Sequence, residues 1–207
     1  YSRSFQMMVS VNRMRVLDVL ADATNVIAEG EVLQLMNMHD ADLAVEDYLR
    51  VIRYKTAKLF EASARLGAVI ADAPREIEEA CANFGRSLGT AFQLVDDLLD
   101  YEGDPAALGK NVGDDLREGK PTLPLLYAMS HGTPEEAALI RHAIEQGEVE
   151  RLAEIVQIVR RTGAIAATRE AARREAEHAR EQLAALPDSE SRNLLLELCV
   201  RSVDRSS

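Results

Sequence analysis

Three aspartates interrupt an otherwise apolar stretch, Phe92-Gln93-Leu94-Val95-Asp96-Asp97-Leu98-Leu99-Asp100. Leu88, Ala91, Leu94, Val95, Leu98 and Leu99 recur around them at helical spacing. On a helix Asp96 and Asp100 share a face one turn apart, and Asp97 flanks it at roughly 100°. Carboxylates this close repel one another and are costly to bury unless paired or bound to a metal. An oxygen-only donor set suits a hard cation such as Mg²⁺, which keeps waters and shares substrate phosphates. Taken alone, the string fits the solvated acidic face of an amphipathic helix at least as well.

The following segment tips the balance. It reads Gly109-Lys110-Asn111-Val112-Gly113-Asp114-Asp115-Leu116-Arg117-Glu118-Gly119-Lys120-Pro121-Thr122, with two Gly-Lys steps bracketing a second aspartate pair. Lysine binds phosphate as a point charge. Glycine beside it lets the backbone bend or approach a ligand closely. Carboxylates that suit a metal, followed by lysines that suit a polyanion, are the parts diphosphate chemistry needs. Asp114 is a candidate metal-shell acid, a salt-bridge partner for a site lysine, or a solvated loop acid.

The elements that must carry these residues are all helical. Alanine, leucine, glutamate and arginine are abundant, tryptophan is absent and aromatics are few. The 207 residues suit one domain, 1–207, with a substantial core. Tyr1 to Leu20 presents Phe5, Met8, Val9 and Val16 on an apolar face and has no capping signal at its start. Ala21 to Met38 reads as a second helix, with Gly30 in its middle. Glycine there costs about 1 kcal/mol against alanine, which points to a close approach. Glu46 to Ile70 reads as one long helix with Lys55-Thr56 at its centre. Judged alone, Lys55 fits a surface lysine laying its stem on apolar neighbours. After Asp72-Ala73-Pro74, a helix with Gly85 and Gly89 four apart runs into the aspartates. Thr122 is a plausible cap for the next helix, and Thr133-Pro134-Glu135-Glu136 is a capping box for the one after. Further helices are expected near 150–162, 164–186 and onward to about Val203. Their alternating Glu and Arg residues form a solvated face without chemistry.

The net charge of −11 argues against nucleic acid and anionic membranes as partners. It leaves an anionic substrate open, because metals and local lysines set the sign at a site. Cys81 and Cys199 lack metal-ligand spacing and suit a reducing cytosol, where they read as small buried apolar residues. No apolar run approaches the ~18 residues of a membrane span.

The F-Q-L-V-D-D-L-L-D-Y stretch and L-G-K-N-V-G-D-D-L-R-E-G-K-P-T-L-P-L together resemble the second aspartate-rich region of trans-polyprenyl diphosphate synthases. The upstream E-G-E-V-L-Q-L and Y-K-T-A-K-L-F stretches resemble the long-chain members, those making octaprenyl diphosphate above all. The resemblance implies an all-α, single-domain helical bundle of the isoprenoid synthase type. It implies condensation of isopentenyl diphosphate with an allylic prenyl diphosphate, with Mg²⁺ as cofactor. By the same resemblance Asp96, Asp97 and Asp100 hold metal, and Asp96, Asp97, Lys55 and Lys110 carry the chemistry. Lys55, Thr56, Gln93, Lys110, Lys120 and Gln34 contact substrate, while Phe5 and Met8 are candidates for the tunnel of the growing chain. A cytoplasmic homodimer and a product destined for quinone side chains complete the expectation.

Family members also carry a first aspartate-rich motif upstream, and this sequence holds no such motif. The resemblance therefore implies a chain that begins inside the fold, incomplete at its N-terminus. It leaves open a non-catalytic partner subunit or an inactive fragment. A terpene cyclase with related metal chemistry is a further alternative, which the Gly-Lys pair and the Lys-Thr step fit less well.

Overall fold

The computed structural model describes residues 2–102 and 113–204, and among these every regular element is helical. The helices are α1 (Ser2–Ser10), α2 (Met14–Asn37), α3 (Val45–Ile52), α4 (Lys58–Ile70), α5 (Arg75–Glu102) and the single-turn α6 (Asp114–Arg117). They continue with α7 (Leu123–His131), α8 (Pro134–Gln146), α9 (Leu152–Arg161), α10 (Ala164–Gln182) and α11 (Glu190–Val203). The all-α expectation holds.

Helix α5 is the axis of the bundle. Its 28 residues begin with Glu76 and Glu78 at the positive helix end. Ala91, Leu94, Val95, Leu98 and Tyr101 are buried along its length. It packs most extensively against α10 and α4. Both contacts depend on small residues. Helix α10 turns Ala164, Thr168, Ala172, Ala176 and Ala179 inward at spacings of four and three. On the other side Gly85 meets α4 and Gly89 meets the residue just before it: a Cβ on Gly85 would stand 2.3 Å from the Phe60 carbonyl oxygen, and one on Gly89 2.7 Å from Ala57 Cα. The four-residue glycine spacing thus marks a close helix crossing.

Three boundaries differ from the sequence reading. The first break falls at residues 11–13, not near Leu20, so α2 starts at Met14. Asn12 adopts a left-handed φ of 53° there, and short polar asparagine tolerates that conformation. The long helix expected over Glu46 to Ile70 is two helices joined by a π-helical turn at Arg53–Ala57. The 164–186 helix ends at Gln182 and tightens into a 3₁₀ turn at Leu183–Ala185. The capping box forms as expected: Thr133 Oγ1 accepts from Glu136 N–H, and Glu136 Oε2 accepts from Thr133 N–H at 2.8 Å. Phe5 is 58% exposed, and α1 buries none of its residues.

Candidate active site

The π turn is the first element of the site. It adds a residue to the helical turn just where Lys55 and Thr56 stand, and such bulges are frequent at functional sites. Gly30 of α2 is what makes the turn fit. A Cβ at Gly30 would lie 2.5 Å from Lys55 N and 2.9 Å from Tyr54 C, so α2 touches the backbone of the turn directly. Lys55 Nζ then reaches Glu31 Oε2 at 3.1 Å and donates to Gln34 Oε1 at 3.2 Å. Gln34 is therefore at the site, as the lysine's partner.

The second element is the C-terminal part of α5. Asp97 is 5% exposed and both of its oxygens are engaged. Tyr48 Oη donates to Oδ2 at 2.5 Å, and Gln93 Nε2 donates to Oδ1 at 2.8 Å. Gln93 Oε1 accepts from Thr56 Oγ1 at 3.0 Å. Because the carboxylate takes the amide's N–H, the Gln93 oxygen faces Thr56, whose single proton is committed to it. The lone pairs of Thr56 remain for the cleft.

The third element is the segment after α5. Gly113 (φ 83°) turns the chain back, and its N–H donates to the Asp100 carbonyl at 3.2 Å. The Asp100 carboxylate accepts the backbone N–H of Asp114 at 3.2 Å and of Asp115 at 3.1 Å, so it caps α6. Lys120 Nζ sits 3.2 Å from Asp115 Oδ1 and 2.5 Å from Glu118 Oε2. His39 ties this segment to α2: its N–H donates to the Gly119 carbonyl at 2.7 Å, and its Nδ1 lies 2.9 Å from the Ile144 carbonyl. That contact places the proton on Nδ1. The end of α2 is thereby pinned beside Lys120.

These elements enclose a cleft of about 270 Å³. Its polar wall carries Asp96, Asp97, Asp115, Lys55, Lys120, Thr56, Gln93 and Gln34, and Met38, Leu43, Val51 and Ile52 supply an apolar wall. Of the residues expected from sequence, Asp96, Asp97, Lys55, Thr56, Gln93, Lys120 and Gln34 come together. Lys110 lies outside the described residues. Asp100 does not line the cleft, because its carboxylate is spent on the α6 amides. Asp115 takes the place foreseen for Asp114, which turns outward to pair with Arg117. Tyr48 was also missed. Its helical register with Val51 and Ile52 was the available signal, since a buried tyrosine needs a partner for its hydroxyl.

Among the described residues that line the cleft, carboxylates outnumber lysines. Burial, then the charge of Asp115, pushes the Asp97 carboxyl far above the usual carboxylate range despite the bonds from Tyr48 and Gln93. The same two causes raise Asp100 to about 6. Burial raises Asp115 against the pull of Lys120. For Lys120, burial opposes the charge, but Glu118 and Asp115 outweigh it and hold the ammonium above the usual lysine range. Among the described residues, no three His, Cys, Asp or Glu side chains are already grouped as a metal requires. The donors are nevertheless all oxygen and mutually repelling, which is the chemistry a hard divalent cation relieves.

Comparison with known proteins agrees with the geometry. The polyprenyl synthetase family matches residues 1–159. Octaprenyl diphosphate synthase of Escherichia coli (strain K12) is 53% identical over 206 residues, covering 99% of this chain and 64% of that protein. Its counterpart in Haemophilus influenzae is 48% identical over 207 residues, covering 100% of this chain and 63% of the relative. A polyprenyl synthase from Caulobacter crescentus CB15, complexed with calcium and isoprenyl diphosphate, superposes with a TM-score of 0.94 at 44% identity. That match covers 100% of this chain and 63% of the other. A decaprenyl diphosphate synthase from Rhodobacter capsulatus gives 0.91 at 43% identity, covering 100% and 64%. The chain thus spans just under two thirds of the length of these relatives. Its fold, its cleft and these matches agree that the chain belongs to the polyprenyl synthetase family.

Proposed function

We propose that the protein carrying this chain is a trans-prenyltransferase. It condenses isopentenyl diphosphate with an allylic prenyl diphosphate to a long-chain all-trans product, octaprenyl diphosphate. The carrying observation is the single cleft that sets Asp96, Asp97 and Asp115 beside Lys55, Lys120, Thr56 and Gln93. Relatives named octaprenyl diphosphate synthases support the product, and the calcium and isoprenyl diphosphate of the Caulobacter complex support a divalent cation with a diphosphate. We assign Mg²⁺ to Asp96, with the charge of Asp97 and Asp115 beside it. Asp100 acts from behind by holding the turn that carries Asp115. A cytoplasmic homodimer serving quinone side chains completes the reading; among the described residues no helix is long and apolar enough to cross a membrane.

In this reading Lys55 and Lys120 exchange their carboxylate and amide partners for diphosphate oxygens. Bound Mg²⁺ supplies the remaining positive charge to the leaving group. The apolar wall of Met38, Leu43, Val51 and Ile52 keeps water from the reacting carbon, and fixed charges act strongly in such a dry site. The allylic C–O bond breaks with its electron pair passing to diphosphate. The double bond of isopentenyl diphosphate forms the new C–C bond to the cation, and a proton is lost. Thr56, with its proton held by Gln93, presents lone pairs suited to positive charge or to a water donor.

The test is incubation of the protein with labelled isopentenyl diphosphate, an allylic diphosphate and Mg²⁺, with the product length read by chromatography. A lengthened diphosphate is expected. Cyclised hydrocarbon would transfer the protein to the cyclases. Diphosphate binding without any product would favour a non-catalytic partner subunit.

The acid cluster also gives a pH prediction. Asp97 and Asp100 are raised above the unfolded value of about 3.9. Their stabilising contribution is full below that value. It fades as pH rises through about 6 for Asp100 and further for Asp97. Metal-free protein should therefore lose thermal stability between about pH 4 and pH 8, and added Mg²⁺ should raise the melting temperature more at pH 8 than at pH 5.5. Melting curves at both values, with and without Mg²⁺, check it; an equal Mg²⁺ effect would mean that the ion does not relieve this acid cluster.

A further inference from the structure

Tyr48 and Thr56 stand on one continuous helical segment, eight residues apart, on either side of the start of the π turn. Both are tied to α5. Tyr48 donates to Asp97 at 2.5 Å, Asp97 accepts from Gln93 at 2.8 Å, and Gln93 accepts from Thr56 at 3.0 Å. Asp97 and Gln93 are one turn apart on α5, so the chain Tyr48–Asp97–Gln93–Thr56 closes a ring across the two helices. The Tyr48 ring is 4% exposed and packs with Ile52, Ala91, Leu94 and Val95. Its hydroxyl has one rigid direction, which ends on Asp97 at the cleft wall.

A π turn is an irregularity that the chain can move along its helix or remove by shifting one residue. Moving it would rotate Lys55 and Thr56 away from the cleft. Gly30 fixes the turn sterically on the α2 side and Gly89 meets Ala57 on the α5 side, while the hydrogen-bonded ring adds a directional polar tie to α5 at Thr56. We propose that Tyr48 is a positioning residue: through Asp97 and Gln93 it locks the register of the π turn that aims Lys55 at a diphosphate and turns the Thr56 lone pairs to the cation or water beside it. This rests on the diphosphate reading above and adds to it a residue at the edge of the cleft whose hydroxyl is committed to Asp97.

The test is a double-mutant cycle between Tyr48→Phe and Thr56→Val in the protein carrying this chain. Inorganic pyrophosphate with Mg²⁺ is the ligand, its affinity is read by calorimetry well below the melting temperature, and melting curves are taken alongside. Tyr48→Phe keeps the ring and its packing. Each single substitution is expected to weaken pyrophosphate about tenfold, which is the worth of one hydrogen bond to a charged group. The double variant should be no weaker than about the larger single effect, because either change opens the same ring. Thr56→Ser, which keeps the hydroxyl, should restore most of the affinity in the wild-type background but not beside Tyr48→Phe. Two results overturn the proposal: a Tyr48→Phe protein that melts lower yet binds pyrophosphate as wild type, and losses that multiply in the double variant. Wild-type protein that binds no pyrophosphate with Mg²⁺ would remove the diphosphate reading itself, a distinguishable failure.

Discussion

Asp96→Ala in the protein carrying this chain should lower prenyl transfer by about 10²–10³-fold, the loss typical of removing one group that stabilises developing charge. Asp96 is one of the charges that push Asp97 and Asp115 upward. Removing it takes that repulsion out of the folded state, so the loss of turnover should far exceed any loss of metal-free stability. Asp97→Ala should behave differently, because it strands the donors of Tyr48 and Gln93 and costs about 1–3 kcal/mol of folding stability. Steady-state kinetics and melting curves on the two variants separate the roles. Unchanged turnover in Asp96→Ala would remove it from the site.

Much of this site could be read before any coordinates, and the part that could not has a physical cause. Periodicity placed Asp96, Asp97 and Asp100 on one helix, and glycine spacing marked the approach of α4 to α5. Periodicity does not say which carboxylates a neighbouring segment will claim. Asp100 lost its place at the cleft to two backbone amides presented by the turn at Gly113, a tertiary event. The choice between Asp114 and Asp115 needed the direction of a single helical turn, which no pattern in four residues fixes. Family resemblance implies a helix break at Lys55-Thr56, but the residue pattern does not show the π turn, for a related reason. Its residues, Arg53–Ala57, have ordinary helix propensity, and the extra residue exists because α2 and α5 both grip the backbone there. Family resemblance implies the roles of Lys55 and Thr56, whereas the local sequence fits a surface lysine at Lys55. The structure gives the physical content: the lysine is 32% exposed and held between Glu31 and Gln34.

The parked state of both lysines shapes the energetics of binding. In the proposed reading Lys55 and Lys120 each release carboxylate partners before meeting a diphosphate, so part of each new contact replaces an old one. Such half-exposed pairs are individually worth little, about 0–1 kcal/mol, so the exchange costs little. Glu31→Gln should therefore change pyrophosphate affinity by no more than a few-fold, and in the direction of tighter binding. Calorimetry measures the change, and a large loss would show that Glu31 itself serves the ligand.

Gly30→Ala should be among the most damaging single-methyl changes in the chain. The added carbon would meet Lys55 N at 2.5 Å and Lys55 Cα and Tyr54 C at 2.9 Å, all backbone atoms that cannot rotate aside. Either α2 retreats or the π turn moves. Overpacking of this kind costs about 1–3 kcal/mol, less whatever alanine regains in helix propensity, and the melting temperature should fall by roughly 3–8 °C. The functional loss should exceed what stability explains. A shift of even about 1 Å in Lys55 misplaces the charge aimed at the diphosphate, and displacements of that size cost up to about 10²-fold in rate. Gly67→Ala in α4 is the matched control, since a Cβ there meets nothing within 4 Å. It should raise stability by roughly 0.5–1 kcal/mol through helix propensity alone and leave pyrophosphate affinity unchanged. If Gly30→Ala matched Gly67→Ala in both stability and pyrophosphate binding, the contact between α2 and the π turn would not be what sets the site.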